Sequence, residues 1–370
     1  MNFDFSQDQK LLQMSAQGFL RDHASLAGVR KILDTDADWD ATLWTRMAEQ
    51  GWQGTAIPEE FGGAGLGYLE LALLSEELGA SLAPVPFSSS VYFVTEAVLH
   101  FGTDEQKRKY LPKLATGETI GALAWAEGPG MPGVSGPLKT CFDGNSLSGT
   151  KLPVLDGQVA NLAVVVTSEN DALSLVLVDL NSDGVQRSRL DSMDPTRSQS
   201  SISFNGAPGE RLGSSGDGSR ILDWLLDRAA VLVAFEQLGG ANRAHKMSLE
   251  YAKERYAFGR QIGSFQAIKH KIVDMLMSVD LARSNCLYAA WALQNNTDLP
   301  VAAAAARVAA TEAFEFCSKE NIQVHGGIGF TWEADAHLFF KRSKLLTLWL
   351  GNADLWRDRL MAKLDDKHAA

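Results

Sequence analysis

The sequence predicts an α+β multidomain fold: an N-terminal helical domain, a middle β-barrel or sandwich, and a C-terminal four-helix bundle. Three observations lead there. At 370 residues the chain is too long for one ordinary core. Capping signals and helix-spaced apolar positions fill both ends of it. Between Glu118 and Gly213 only short apolar or alternating runs occur, separated by glycine, asparagine, aspartate or proline. These shifts in texture divide the chain into 1–117, 118–213 and 214–370.

Each element has its own signal. Ser6 followed by Gln9 makes a capping box, and Leu12, Ala16, Phe19 and Leu20 recur at helical spacing behind it. A second helix begins near Asp40, turns Leu43, Trp44, Met47 and Ala48 inward, and stops at Gly51. The loop from Ile57 to Gly67 is rich in glycine, but no strand precedes it and GxGxxG is not satisfied, so it is a connector. Helices are expected over Tyr68 to Leu78, closed by Gly79, over about Ser90 to Phe101, and from the Thr103/Gln106 box through Leu114. The strand runs are 120–126, 146–149, 162–167, 173–178 and 201–204. After the loop 213–219 the chain returns to helix. Arg220 to about Ala257 is apolar nearly all round, as in a buried bundle helix. Phe265 to Gln294, Pro300 to about Val324 and the stretch from Glu333 onward follow.

Composition narrows the function. With 45% apolar and 21% charged residues the chain reads as globular and soluble. A formal charge of −11 argues against a broad nucleic-acid surface. The stretch Met1 to Lys10 is polar and acidic, unlike a signal or transit peptide. No apolar run of about 18 residues is available to span a membrane. Cys141, Cys286 and Cys317 lie far apart without CxxC spacing, which points to reduced thiols and a cytoplasmic protein. No HExxH or paired histidine spacing suggests a metal site.

Two C-terminal segments carry the chemistry. The first is Glu254-Arg255-x-x-Phe258-Gly259-x-x-Ile262-Gly263-x-Phe265-Gln266. The second is Gln323-x-x-Gly326-Gly327-x-Gly329. A guanidinium at the end of a helix can hold a pyrophosphate bidentately, and paired glycines let a backbone approach a ligand closely. Taken singly, Arg255 could be a structural cap and Gly326-Gly327 a plain helix stop. Together, in this order after a β domain, the segments resemble those of the acyl-CoA dehydrogenase family, and the likeness covers essentially the whole chain. That resemblance implies an FAD-dependent oxidoreductase of lipid metabolism that oxidises acyl-CoA thioesters at Cα–Cβ. It implies FAD contacts from Arg255, Phe258, Gln266, Gln323, Gly326, Gly327 and Asn352, shared across a subunit interface. An electron-transferring flavoprotein is the implied acceptor. The family's middle-domain flavin segment resembles Ala124 to Gly130, with Trp125-Ala126 where threonine is usual. The next resembles Gly149 to Leu155, where the usual hydroxyl is also missing.

The resemblance also exposes a gap. Family members usually carry the α-proton base in an aromatic-Glu-Gly-Thr segment, and here Trp349-Leu350-Gly351-Asn352 puts leucine in its place. Other members place the base near Ala229. Asp227 lies two residues away, a turn of about 200° on a helix. Glu236, inside an apolar run, is a desolvated carboxylate of the kind a general base requires, unless Arg228 or Arg243 neutralises it. Glu333 and Asp335 are expected to cap the helix that follows them. Four readings stay open: a base-lacking subunit of a hetero-oligomer, a homo-oligomeric dehydrogenase with a displaced base, a related flavin monooxygenase, and a partner that binds no flavin.

Overall fold

The computed structural model describes residues 5–35, 37–128 and 137–369, with side chains through 365. In chain order the N-terminal helices are α1 (Gln7–His23), α2 (Leu26–Leu33), α3 (Ala41–Glu49), α4 (Tyr68–Ser81), α5 (Phe87–Ser89), α6 (Glu96–Phe101) and α7 (Asp104–Ala115). The strands are β1 (Gly121–Ala124), β2 (Cys141–Phe142), β3 (Ser146–Leu155), β4 (Leu162–Glu169), β5 (Ala172–Asp179), β6 (Val185–Leu190), β7 (Gln199–Pro208) and β8 (Glu210–Leu212). Then come α8 (Gly218–Glu254), the hairpin β9 (Tyr256–Ala257) and β10 (Arg260–Gln261), α9 (Gln266–Asn295), α10 (Leu299–His325), α11 (Ala336–Trp349) and α12 (Ala353–Ala369). Both predicted capping boxes form, Ser6 with Gln9 and Thr103 with Gln106. Asp335 takes the N-cap position of α11 without a side-chain cap bond.

Contacts group the chain into two compact units, one of 1–29, 68–83 and 230–370, the other of 30–67 and 84–229. The second contains the sheet, whose strands run β6-β7-β3-β2-β4-β5-β8 with β1 beside β4. Strand β4 is apolar and buried because neighbours flank it, antiparallel β5 on one side and parallel β1 and β2 on the other. The sheet is not the closed barrel the sequence left open: β6 and β8 end the hydrogen-bonded path. Those edges are protected by charge and brevity. Arg187 of β6 turns its guanidinium onto the Ala160 carbonyl at 2.7 Å, and β8 is three residues long. The short strands β2, β6 and β8 lack the apolar runs that marked the others. The predicted helix over Ser90–Phe101 has a π-helical first half, Ser90–Thr95, all of it buried.

In the first unit α10 packs on α9, α11 and α12, and α4 crosses α8 at very short range. A Cβ on Gly79 would lie 1.8 Å from the Glu236 carbonyl oxygen, and one on Gly239 1.8 Å from that of Glu76. Gly79 was expected to close a helix. It sits inside α4 instead, because the backbone of α8 occupies the space a side chain would need. Buried Glu76 then pairs with Arg283 of α9 at 2.8 Å. No described helix is long and apolar enough to cross a membrane.

Candidate cofactor site

The two motif segments meet in the first unit. Helix α8 ends at Glu254, and the Arg255 amide still donates to the Tyr251 carbonyl at 2.8 Å. The hairpin β9–β10 follows, pairing Ala257 with Arg260 and Tyr256 with Gln261. Its two loop residues, Phe258 and Gly259, both have positive φ, +52° and +77°. Two-residue hairpins require such angles, but an aromatic residue adopts them at a cost of order 1–3 kcal/mol. The strained Phe258 is 95% exposed, so packing within the chain does not explain it. Arg260 lies over the Phe265 ring at 4.0 Å and stiffens the far side of the turn.

A small apolar cluster joins the segments: Ala252, Ile272 and Val324, with Leu249, Tyr251, Ile262 and Ile268 against them. The Tyr251 and His325 rings stack at 4.1 Å. Helix α10 then stops at Gly326, with φ +64°. A Cβ on Gly326 or Gly327 would meet nothing within 4 Å, whereas Gly329 packs tightly on Ile322. Arg255, Gln266 and Gln323 are exposed, and their side chains make no hydrogen bond or ion pair among the described residues. An open glycine shelf beside an uncommitted guanidinium, two amides and an outward-held aromatic ring suits a ligand with phosphate and ring parts. The Asn352 Oδ1 accepts the Leu355 amide at 3.1 Å and caps α12.

Leu350 follows α11 and is fully buried, and Gly351 turns the chain with φ +92°. Glu236 is 4% exposed, 3.9 Å from the Arg342 guanidinium. Arg342 also donates to the Leu82 carbonyl at 3.4 Å. Arg307, fully buried, donates to Gln237, to Thr311 at 2.6 Å and to the Leu346 carbonyl at 2.5 Å. Burial pulls Arg307 down to about 9, opposed by the negative charge of Glu236 and Glu315. Glu236 therefore has buried guanidiniums as its surroundings. They come from α10 and α11. Asp227 is buried too, nine residues back on α8 and hence about half a turn away from Glu236. The sequence holds one overlooked sign of this network: Arg307 stands alone in the alanine-rich stretch 302–310, where a guanidinium has little choice but burial.

Models of the acyl-CoA dehydrogenase N-terminal and C-terminal domains match residues 6–118 and 216–364. The acyl-CoA dehydrogenase IpdE2 of Mycobacterium tuberculosis (strain ATCC 25618 / H37Rv) is 33% identical over 339 residues, 91% of this chain and 91% of that protein. This chain belongs to the acyl-CoA dehydrogenase family, a family of flavoprotein oxidoreductases. Two solved structures align along nearly the whole length. One is a steroid ACAD variant, Tcur3481-Tcur3483, with TM-score 0.89 and 30% identity over 98% of this chain and 99% of that one. The other is the ChsE4-ChsE5 complex of Mycobacterium tuberculosis, with TM-score 0.90 and 27% identity over 99% of both chains.

The family's middle-domain segment, as it stands here, is anchored by charge. Trp125 and Ala126 are buried, and Pro129 and Gly130 lie outside the described residues. Glu127 accepts the Lys139 and Thr140 amides at 2.8 and 2.9 Å and the fully buried Lys151 ammonium at 2.7 Å. Burial alone would raise the Glu127 carboxyl, but Lys151 and the two amides hold it at about 2. Burial pushes Lys151 below the usual amine range, against the pull of Glu127.

Proposed function

We propose that this chain is the base-lacking subunit of a hetero-oligomeric, FAD-dependent acyl-CoA dehydrogenase. One pairing of observations carries the reading: the cofactor segments converge with their polar groups uncommitted, while a buried leucine stands where the base is expected. When bound, FAD supplies the acceptor for a hydride from Cβ of the acyl thioester. Arg255 holds the pyrophosphate, Phe258 presents its face to a ring of the cofactor, and Gln266 and Gln323 donate from their amides. Gly326 and Gly327 leave the backbone bare for close approach.

Removal of the α-proton needs a group that can accept it, and a leucine side chain has none. The base then comes from another chain, and the similar ChsE4-ChsE5 and Tcur3481-Tcur3483 structures, each named for two chains, support such an assembly. Glu236 could replace it only by leaving its buried guanidiniums. It lies on the Ala229 face of α8, seven residues and about two turns further along. The reducing equivalents pass to an electron-transferring flavoprotein.

Turnover of a panel of acyl-CoAs with an artificial electron acceptor tests this. The chain purified alone is expected to carry FAD but show at most about a thousandth of the rate reached with a related chain that has aromatic-Glu-Gly-Thr, because general-base catalysis contributes factors of about 10²–10⁴. Ordinary rates from the chain alone would overturn the proposal.

A further inference from the structure

His325 sits at the junction of the two cofactor segments with one nitrogen occupied and the other not. Its Nδ1 is 2.8 Å from the Asn321 carbonyl oxygen. A carbonyl can only accept, so Nδ1 carries the hydrogen, and in the neutral ring Nε2 is left as a lone-pair acceptor. The ring cannot turn freely. It stacks on Tyr251 with 25° between the planes, and the Tyr251 hydroxyl reaches the His325 carbonyl at 3.5 Å. Nε2 has no hydrogen-bond partner among the described residues. Next to it in sequence is the glycine shelf, and one helical turn beyond Tyr251 is Arg255.

The other polar groups of the site are donors or amides: the Arg255 guanidinium, Gln266 and Gln323. His325 Nε2 adds an oriented acceptor. The ligand that matches carries an anion for the guanidinium and, close beside it, a hydroxyl that can donate. A nucleotide has this arrangement wherever a sugar or sugar-alcohol hydroxyl flanks a phosphate. We propose that His325 is a binding residue of the cofactor site and that its Nε2 accepts a hydrogen bond from a hydroxyl flanking the pyrophosphate. This rests on the FAD reading above. In FAD the hydroxyl has two possible sources, the adenosine ribose and the ribityl chain.

The test is affinity in the assembled, flavin-stripped protein for three probes: FAD, FMN and ADP. His325→Phe keeps a ring to stack on Tyr251 and removes the acceptor. His325→Gln restores an acceptor of similar reach. One neutral hydrogen bond corresponds to a loss of about three- to tenfold in affinity. FAD binding is expected to weaken by that factor in His325→Phe and to recover in part in His325→Gln, with the unfolding midpoint unchanged in both. A matching loss for ADP and none for FMN assigns the ribose, and the reverse assigns the ribityl chain. Unchanged FAD affinity in a folded His325→Phe protein overturns the inference. Failure of the unsubstituted assembly to bind FAD would overturn the FAD reading instead, so the two failures are distinct.

Discussion

The indole Nε1–H of Trp356 donates to the carbonyl oxygen of Leu350 at 2.9 Å, and both side chains are buried. The turn after α11 is thus held from within by α12, and Leu350 contributes to its core. Leu350→Ala is expected to cost about 2–5 kcal/mol of stability, the range for deleting a buried leucine. Urea unfolding should show a lower midpoint with an unchanged slope, and the assembled enzyme should keep its turnover below the new midpoint. Loss of turnover with full stability would mean that Leu350 has a part in the chemistry.

Glu236 and Arg342 are a second buried relationship with a measurable consequence. Glu236→Gln takes the carboxylate charge away from the buried Arg342 guanidinium, and breaking a buried pair costs about 3–5 kcal/mol. Arg342→Met in the same background should restore much of that loss. A double-mutant cycle in urea reads the coupling between them. Additive effects would show that the carboxylate and the guanidinium do not depend on one another.

The crossing of α4 and α8 depends on two glycines. Gly239→Val puts side-chain atoms where the Glu76 carbonyl already lies, so the helices must separate. The expected loss exceeds about 3 kcal/mol, with exposed apolar surface reported by dye binding. A soluble Gly239→Val protein with native stability would contradict the crossing.

The acid limb of the pH–stability curve should carry the mark of Glu127. Its folded carboxyl titrates at about 2, below its unfolded value, so its contribution is present above the unfolded value and is lost as pH falls toward 2. In that window the unfolded chain binds the extra proton, and stability therefore falls with falling pH. Glu127→Gln removes this part of the slope and strands the buried Lys151 ammonium, so it also destabilises the protein at neutral pH. Urea midpoints from pH 5 to pH 2 measure both effects. An unchanged acid slope would exclude the Glu127–Lys151 pair as its source.

Much of the fold was legible because its signals are local. Capping boxes, helix-spaced apolar residues and glycine-bounded runs each announce themselves within a few positions, as Ser6 with Gln9 and Thr103 with Gln106 do. The rest depended on partners distant in sequence. Gly79 looks like a helix stop until Glu236 is seen against it, and the guanidinium facing Glu236 comes from Arg342. Strand β6 has no apolar run because one side of it has no partner, so alternation was weak there. The two motif segments were readable in the sequence. The stacking of Tyr251 on His325 and the left-handed Phe258 were not, since both follow from how α8, the hairpin and α10 come together.

As proposed, this chain holds the cofactor site but supplies no base to the acyl α-carbon. Base-catalysed exchange of the α-protons of an acyl-CoA in D₂O measures that step directly, and mass spectrometry reads it without an electron acceptor. Short-chain, medium-chain and steroid-side-chain acyl-CoAs incubated with the FAD-loaded chain alone should gain no deuterium beyond the buffer rate, while the assembly with a carboxylate-bearing partner exchanges. Exchange by the chain alone, abolished in Glu236→Gln or Asp227→Asn, would contradict the account and locate the base within it.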